Sequence, residues 1–370
     1  MSALGLLAVC PAHAAPRPGG LTQIRGDQWH LTYLKVAEAH RMSQGEGIVV
    51  AVPDTGVDPH PDLINNLLIG TDIVQGGSGD GHGDHNSHGT SMAGLIAAHG
   101  RGEHFGALGI APKAKILPIM SSLADNRGEA DDLAAGIEYA ARHGVDVISI
   151  SSAGGSSVRL IQAINAALAA NIIVVAGVGN RPEASSVGYP ASHEGVIAVG
   201  GIDRAGEHAA VSVTGPDIDV VAPAVDIYST SYGGKYSKGS GTSGATAIVA
   251  GAAALIRSKY PNLPAQEVAH RLTATAVDKG PPGRDDEYGY GVIDLVAALT
   301  ADVPPLGFES VSATNTTATT AAEPAASDAG DGDATARALA ALGVLAAAGG
   351  GYLIWRRRRR ADDPPPRISR

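Results

Sequence analysis

Short runs rich in Val and Ile alternate with longer helix-like stretches through the first two thirds of the chain. The apolar runs are "IVVAV" (48–52), "KILPIM" (115–120), "VDVISI" (145–150), "NIIVVAGV" (171–178) and "VIAVGG" (196–201). Between them stand "SMAGLIAAH" (91–99), "ADDLAAGIEYAARHG" (130–144) and "VRLIQAINAALAA" (158–170), each with apolar residues at helical spacing. A strand that is apolar at every position must be covered on both faces, and helices interposed between strands supply the cover. The expected fold class is therefore α/β, a three-layer αβα arrangement around a mostly parallel sheet. In such sheets, sites form beyond the carboxyl ends of the strands. Only 4% of the residues are aromatic, so the core must be aliphatic and alanine-rich.

Three segments at such positions carry chemistry. In "VVAVPDTGVDPHPDL" a strand ends at Asp54, followed by Thr55 and Gly56. In "HNSHGTSMAGLIAA" His88 opens a helix out of a glycine-rich turn. In "GTSGATAIVAG" Ser243 stands where a small polar turn meets an apolar helix. Serine there reads as an N-cap or as a nucleophile, and the helix end suits both. A serine hydroxyl attacks a carbonyl only when a base takes its proton. A near-neutral imidazole can take that proton and return it to a leaving amine, and a carboxylate behind the ring holds its tautomer. Asn180, closing "VVAGVGN", offers a side-chain donor for the oxyanion, and the Ser243 amide offers a second.

These motifs, in the order Asp54-Thr55-Gly56, His88-Gly89-Thr90, Gly179-Asn180 and Gly241-Thr242-Ser243, resemble the subtilisin-like serine proteases, or subtilases. The stretches "GIAPKAKILPI", "GVIAVGGIDRAG" and "VAPAVDIYST" are similar to that family's connecting strands, so the resemblance runs over roughly residues 45–300. It implies a serine endopeptidase with Asp54, His88 and Ser243 as the triad and Asn180 in the oxyanion hole. It also implies Ser152, Ala153 and Gly154 as the strand edge that pairs with substrate backbone. "GDQWHLTYLKVAEAHRMSQGEGIVVAV", together with the two termini, resembles the mycosin branch, membrane-anchored subtilases associated with type VII secretion. Some residues depart from the family pattern. Gly244-Ala245-Thr246-Ala247 stands where a bulky residue, two small ones and proline are usual, Pro53 precedes Asp54, and Val211 replaces an aromatic.

Other readings fit less well. An aspartic protease needs two Asp-Thr-Gly carboxylates, and an α/β-hydrolase needs an acid and then a histidine after the serine, where only His270 follows. A catalytically degenerate subtilase serving as a scaffold in a membrane secretion complex is the remaining alternative. No cofactor is required by this chemistry. His82 and His85 beside Asp80 and Asp84 read as a solvated glycine-rich loop rather than a metal site, and a structural calcium site is conceivable without an assignable oxygen cage.

The net charge of −10 leaves no basic face for nucleic acid, and the single cysteine, Cys10, allows no internal disulfide. Residues 1–14 read as a signal peptide ending in an A-x-A-like site, and 15–47 as an extension too short for a folded inhibitory prodomain. The peptidase domain then covers 48–300, and 301–335 is a Ala/Thr/Ser/Pro-rich linker. The apolar run 338–355, about 27 Å as a helix, reads as a membrane span, and the five arginines at 356–360 open a cytoplasmic basic tail reaching 370. The expected partners are protein or peptide substrates, the membrane and the type VII secretion machinery. The expected location is a single-pass membrane protein whose catalytic domain faces outward.

Overall fold

A computed structural model describes residues 6–8, 21–74, 79–102, 104–123 and 127–306. The chain divides into two units, 1–310 and 311–370, and the second lies wholly outside the described residues. So do most of the signal peptide and linker expected from the sequence, and all of the span at 338–355 and the basic tail. Among the described residues no helix is long and apolar enough to cross a membrane.

The strands are β1 (Leu6–Ala8), β2 (Val49–Asp54), β3 (Thr71–Asp72), β4 (Lys115–Met120), β5 (Arg127–Glu129), β6 (Val147–Ile150), β7 (Ile173–Gly177), β8 (Ile197–Ile202), β9 (Val220–Pro223), β10 (Ile227–Ser231) and β11 (Lys235–Gly239). The helices are α1 (Leu21–Asp27), α2 (Trp29–Tyr33), α3 (Val36–Ala39), α4 (His88–Ala97), α5 (Ala130–Arg142), α6 (Val158–Ala169), α7 (Thr242–Lys259), α8 (Ala265–Ala274) and α9 (Leu295–Thr300). Seven strands form one sheet in the order β3-β4-β2-β6-β7-β8-β9, parallel at every pairing. β1 pairs antiparallel with β5, and β10 with β11.

Alternate residues of each strand enter two cores, as a period of two requires. Val50, Val52, Val147, Ile173, Val175, Ile197 and Val199 pack with α4, α7 and the segment 24–39. Ala51, Ile148, Ile150, Val174, Ala176 and Ala198 pack with α5 and α6. The result is the expected three-layer αβα sandwich. α7 runs through the first core, and every residue from Thr242 to Arg257 is buried. A helix that is apolar or small all round can only be stable there.

Pro53 lies within a central strand without breaking it. Its strand pairs with β6 only at Val50 and Ala51, so Pro53 lies beyond that ladder and its missing N–H leaves no gap. Residues 21–47 run over the first core: Trp29 Nε1 donates to the Val225 carbonyl at 3.1 Å, and Gln28 binds Leu108 through both ends of its amide. His30 is fully buried there with neither ring nitrogen bonded, and burial pushes its pKa down to about 3.

Candidate active site

The switch in strand order falls at β2, which is flanked by β4 on one side and β6 on the other. Asp54 is the last residue of β2. Ser151 and Ser152 follow β6, and Asn180 follows β7. The sheet therefore delivers these groups to one edge, at the carboxyl ends of adjacent strands. Two helices meet that edge with their N-termini: α4 begins at His88, and α7 at Thr242.

His88 is held against Asp54 by close packing. Gly89 approaches the Asp54–Gly56 turn so tightly that a Cβ on it would lie 2.0 Å from the Gly56 carbonyl oxygen and 3.2 Å from the Asp54 Cβ. Only glycine fits. The His88 Nδ1 then lies 2.8 and 2.9 Å from the two Asp54 carboxylate oxygens. A carboxylate only accepts, so Nδ1 carries the proton and the neutral ring presents a lone pair at Nε2. That Nε2 is buried and without a partner. Burial alone would lower the His88 pKa, but the charge and hydrogen bond of Asp54, with the charge of Asp84, hold it above the ordinary 6.5.

The first N–H groups of α4 have no intrahelical acceptors and need others. Asn86 Oδ1 takes the His88 N–H at 3.2 Å, Thr55 Oγ1 takes Gly89 at 3.0 Å, and Asp84 Oδ2 takes Thr90 at 3.0 Å. Asp84 is 1% exposed and accepts further hydrogen bonds from Thr55 Oγ1, the amides of Asn86 and Ser87, and Thr90 Oγ1. The solvated loop expected around Asp80–His85 is thus corrected at its centre: Asp84 is a buried anchor that ties the aspartate turn to the histidine helix. His82 Nε2 bonds the Leu68 carbonyl at 2.8 Å. Among the described residues no group of His, Cys, Asp and Glu could hold a metal ion.

Ser243 does not cap its helix, contrary to one of the two expected roles. The N-cap is Gly241, and Ser243 is the second residue of α7. The cap comes from outside: Asn180 Oδ1 accepts the Thr242 N–H at 2.8 Å and its hydroxyl at 3.3 Å. Gly241 leaves room for this, since a Cβ there would stand 3.3 Å from both amide atoms of Asn180. With its oxygen engaged, the Asn180 amide has Nδ2 left to donate. The Ser243 Oγ donates to the Ser151 carbonyl at 3.1 Å. The hydroxyl is therefore parked on β6's extension, while His88 and Ser243 both line one pocket of about 40 Å³.

A second pocket of about 40 Å³ also touches Ser243, with Ser151, Ser152, Ala153, Asn180 and Glu183 in its wall. Ser152 and Ala153 thus stand beside Asn180. Gly154 does not line this pocket, and both its N–H and its C=O are bonded to Tyr189. Of the expected site residues, the structure brings Asp54 to His88 directly, Ser243 to His88 across a shared pocket, and Asn180 to the start of the serine helix.

The family model of the subtilases matches residues 45–291. The chain is 38% identical over 272 residues to subtilisin BL of Lederbergia lenta, covering 73% of this chain and 97% of that protein. It is 40% identical over 260 residues to subtilisin DY of Bacillus licheniformis, covering 69% and 92%. Among solved structures, MycP1 from Mycobacterium smegmatis is 28% identical with a TM-score of 0.69, covering 81% of this chain and 91% of that one. A further MycP1 structure, described as a serine protease and an essential component of the type VII (ESX-1) secretion system, is 32% identical with a TM-score of 0.69, covering 80% and 94%. The chain belongs to the subtilase family and is a serine endopeptidase of the subtilisin kind.

Proposed function

We propose that this endopeptidase cleaves through Ser243, with His88 as its base, Asp54 as the group that orients His88, and Asn180 as an oxyanion donor. The observation that carries the reading is the state of the imidazole: Nδ1 is held by a carboxylate at 2.8 Å, Nε2 is buried and unpartnered, and His88 lines the pocket that Ser243 shares. A buried basic nitrogen without a partner is costly in a fold that needs it for nothing else.

Rotation of the Ser243 hydroxyl from the Ser151 carbonyl toward Nε2 begins the reaction. Oγ attacks the peptide carbonyl as Nε2 takes its proton. The oxyanion accepts from the Ser243 N–H, at the start of α7, and from Asn180 Nδ2. Collapse of the intermediate breaks the C–N bond, and Nε2 gives its proton to the leaving amine. Water then attacks the acyl ester by the same route, and the Ser243 hydroxyl is restored.

The likeness to structures described as type VII secretion proteases supports a place beside such an apparatus. The run at 338–355 with five arginines after it supports a tether that leaves the peptidase domain outside the membrane. The test compares Ser243→Ala with wild type for peptide cleavage and for recovery of the secretion complex from membranes. Cleavage lost with assembly kept supports the triad. Cleavage unchanged ends the assignment, and an inactive wild type whose deletion still disrupts the complex favours a scaffold.

A further inference from the structure

Four glycines lie in α4 and α7, and three are forced by packing. A Cβ would come within 2.0 Å of the Gly56 oxygen at Gly89, 2.1 Å of Thr230 Oγ1 at Gly94, and 2.7 Å of the Ile110 Cβ at Gly251. Gly244 differs. A Cβ there would meet nothing nearer than Leu95 Cδ1 at 3.6 Å and Ile227 Cγ1 at 3.8 Å, ordinary contacts, and its backbone is not left-handed. Glycine weakens a helix, so nothing in the fold of α7 calls for it. What its missing side chain leaves is space, immediately after the nucleophile.

That space belongs to the pocket lined by His88, Met92, Leu95, Ile227, Ser243 and Gly244, whose remaining walls are Ala, Ser and Gly. Among the described residues of its wall, His88 alone is ionisable. Its position relative to the reaction follows from proton transfer. Nε2 must reach the leaving amine, so the residue after the scissile bond lies on the His88 side of Ser243. The acyl side lies in the other pocket, with Asn180 and Ser152.

Resting on the catalytic reading above, we infer that Gly244 is a specificity-determining residue. It opens a pocket that receives an aliphatic side chain from the residue immediately following the scissile bond. The volume sets the size. A water needs about 10–15 Å³ in this measure, so about 40 Å³ admits three or four heavy atoms. Val and Leu fit, a phenyl ring does not, and a charged side chain finds no partner.

The test uses the full chain and peptides that differ only at the residue after the scissile bond. Wild type is expected to favour Leu or Val over Gly by about 10–100-fold in kcat/KM, the range for a small apolar side chain in a fitted pocket. Phe and Asp are expected to fall with or below Gly. In Gly244→Met, whose side chain occupies the same space, the Leu/Gly ratio is expected to drop below about threefold. A second measurement needs no variant: the acyl-enzyme formed from an ester substrate is offered leucinamide or glycinamide. The amine displaces Ser243 from the ester, losing its proton to His88, which returns it to the hydroxyl, and leucinamide should capture the acyl group at least about tenfold better. A flat wild-type series with equal capture overturns the pocket, as does a Leu/Gly ratio that Gly244→Met leaves unchanged. If Ser243 reacts with a fluorophosphonate while selectivity is flat, only this inference fails. If Ser243 neither reacts nor supports cleavage, the catalytic reading fails and takes the pocket with it.

Discussion

Replacing Gly89 by alanine tests how the fold aligns its base. The added Cβ would stand 2.0 Å from the Gly56 carbonyl oxygen, whereas ordinary contact begins at 3.4 Å, so the start of α4 and the aspartate turn must part by the difference, about 1.4 Å. The Asp54–His88 hydrogen bond, 2.8 Å long, crosses the same contact. Parting by even half that amount carries Nδ1 to the edge of hydrogen-bonding distance. A displacement of about 1 Å at a catalytic group costs on the order of 100-fold in rate, and overpacking of this kind costs about 1–3 kcal/mol of stability. The control is Gly26→Ala, also within a helix, where a Cβ meets nothing within 4 Å. Steady-state kinetics and thermal melts of both variants decide the matter. Gly89→Ala should lose both activity and stability, while Gly26→Ala should keep its activity and melt no lower. Wild-type activity and melting in Gly89→Ala would refute the argument that close packing sets the geometry.

The raised His88 pKa places the acid limb of the kcat/KM profile above 6.5, because the base works only when neutral. Asp54→Asn removes the charge that opposes burial, so the limb of the residual activity should move to lower pH. Asn180→Ala should lower kcat by about 10²–10³ with KM little changed, since the donor acts on the oxyanion rather than on the bound substrate. Asp84→Ala strands buried donors on Thr55, Ser87 and Thr90 and should cost about 3–5 kcal/mol in urea unfolding, with activity lost as α4 loosens. His30 is neutral when folded and protonates freely when unfolded, so acidification from about 6.5 toward 3 favours the unfolded state by about 1.4 kcal/mol per pH unit. Stability of His30→Leu, measured by urea midpoints between pH 7 and 4, should fall less steeply over that window than wild type.

What the sequence made legible was whatever depends on local pattern. Continuous apolar runs and helical spacing placed the five main parallel strands and helices α4, α5 and α6 to within a few residues, because burial on both faces of a sheet writes itself into every position of a strand. The site motifs were readable because each occupies a chain reversal with tight steric demands, as Gly89 and Gly241 show. What escaped was what distant segments do for one another. Asp84 sits among glycines and histidines and looks solvated, yet its bonding partners include Thr55, 29 residues upstream. Ser243 looks like an N-cap, but the cap arrives from Asn180, 62 residues away. The space beside Gly244 is defined by Leu95 and Ile227 on other elements, so a glycine that reads as mere absence of a side chain becomes a pocket only in three dimensions.

The central claim is that Ser243 is a hydroxyl activated by His88. Fluorophosphonate labelling followed by peptide mapping, with labelling rates for wild type and His88→Ala, measures this directly. A single adduct on Ser243 is expected in wild type, with at least about a 100-fold slower reaction once the base is gone. An adduct on another serine, or equal labelling rates in the two proteins, would contradict it.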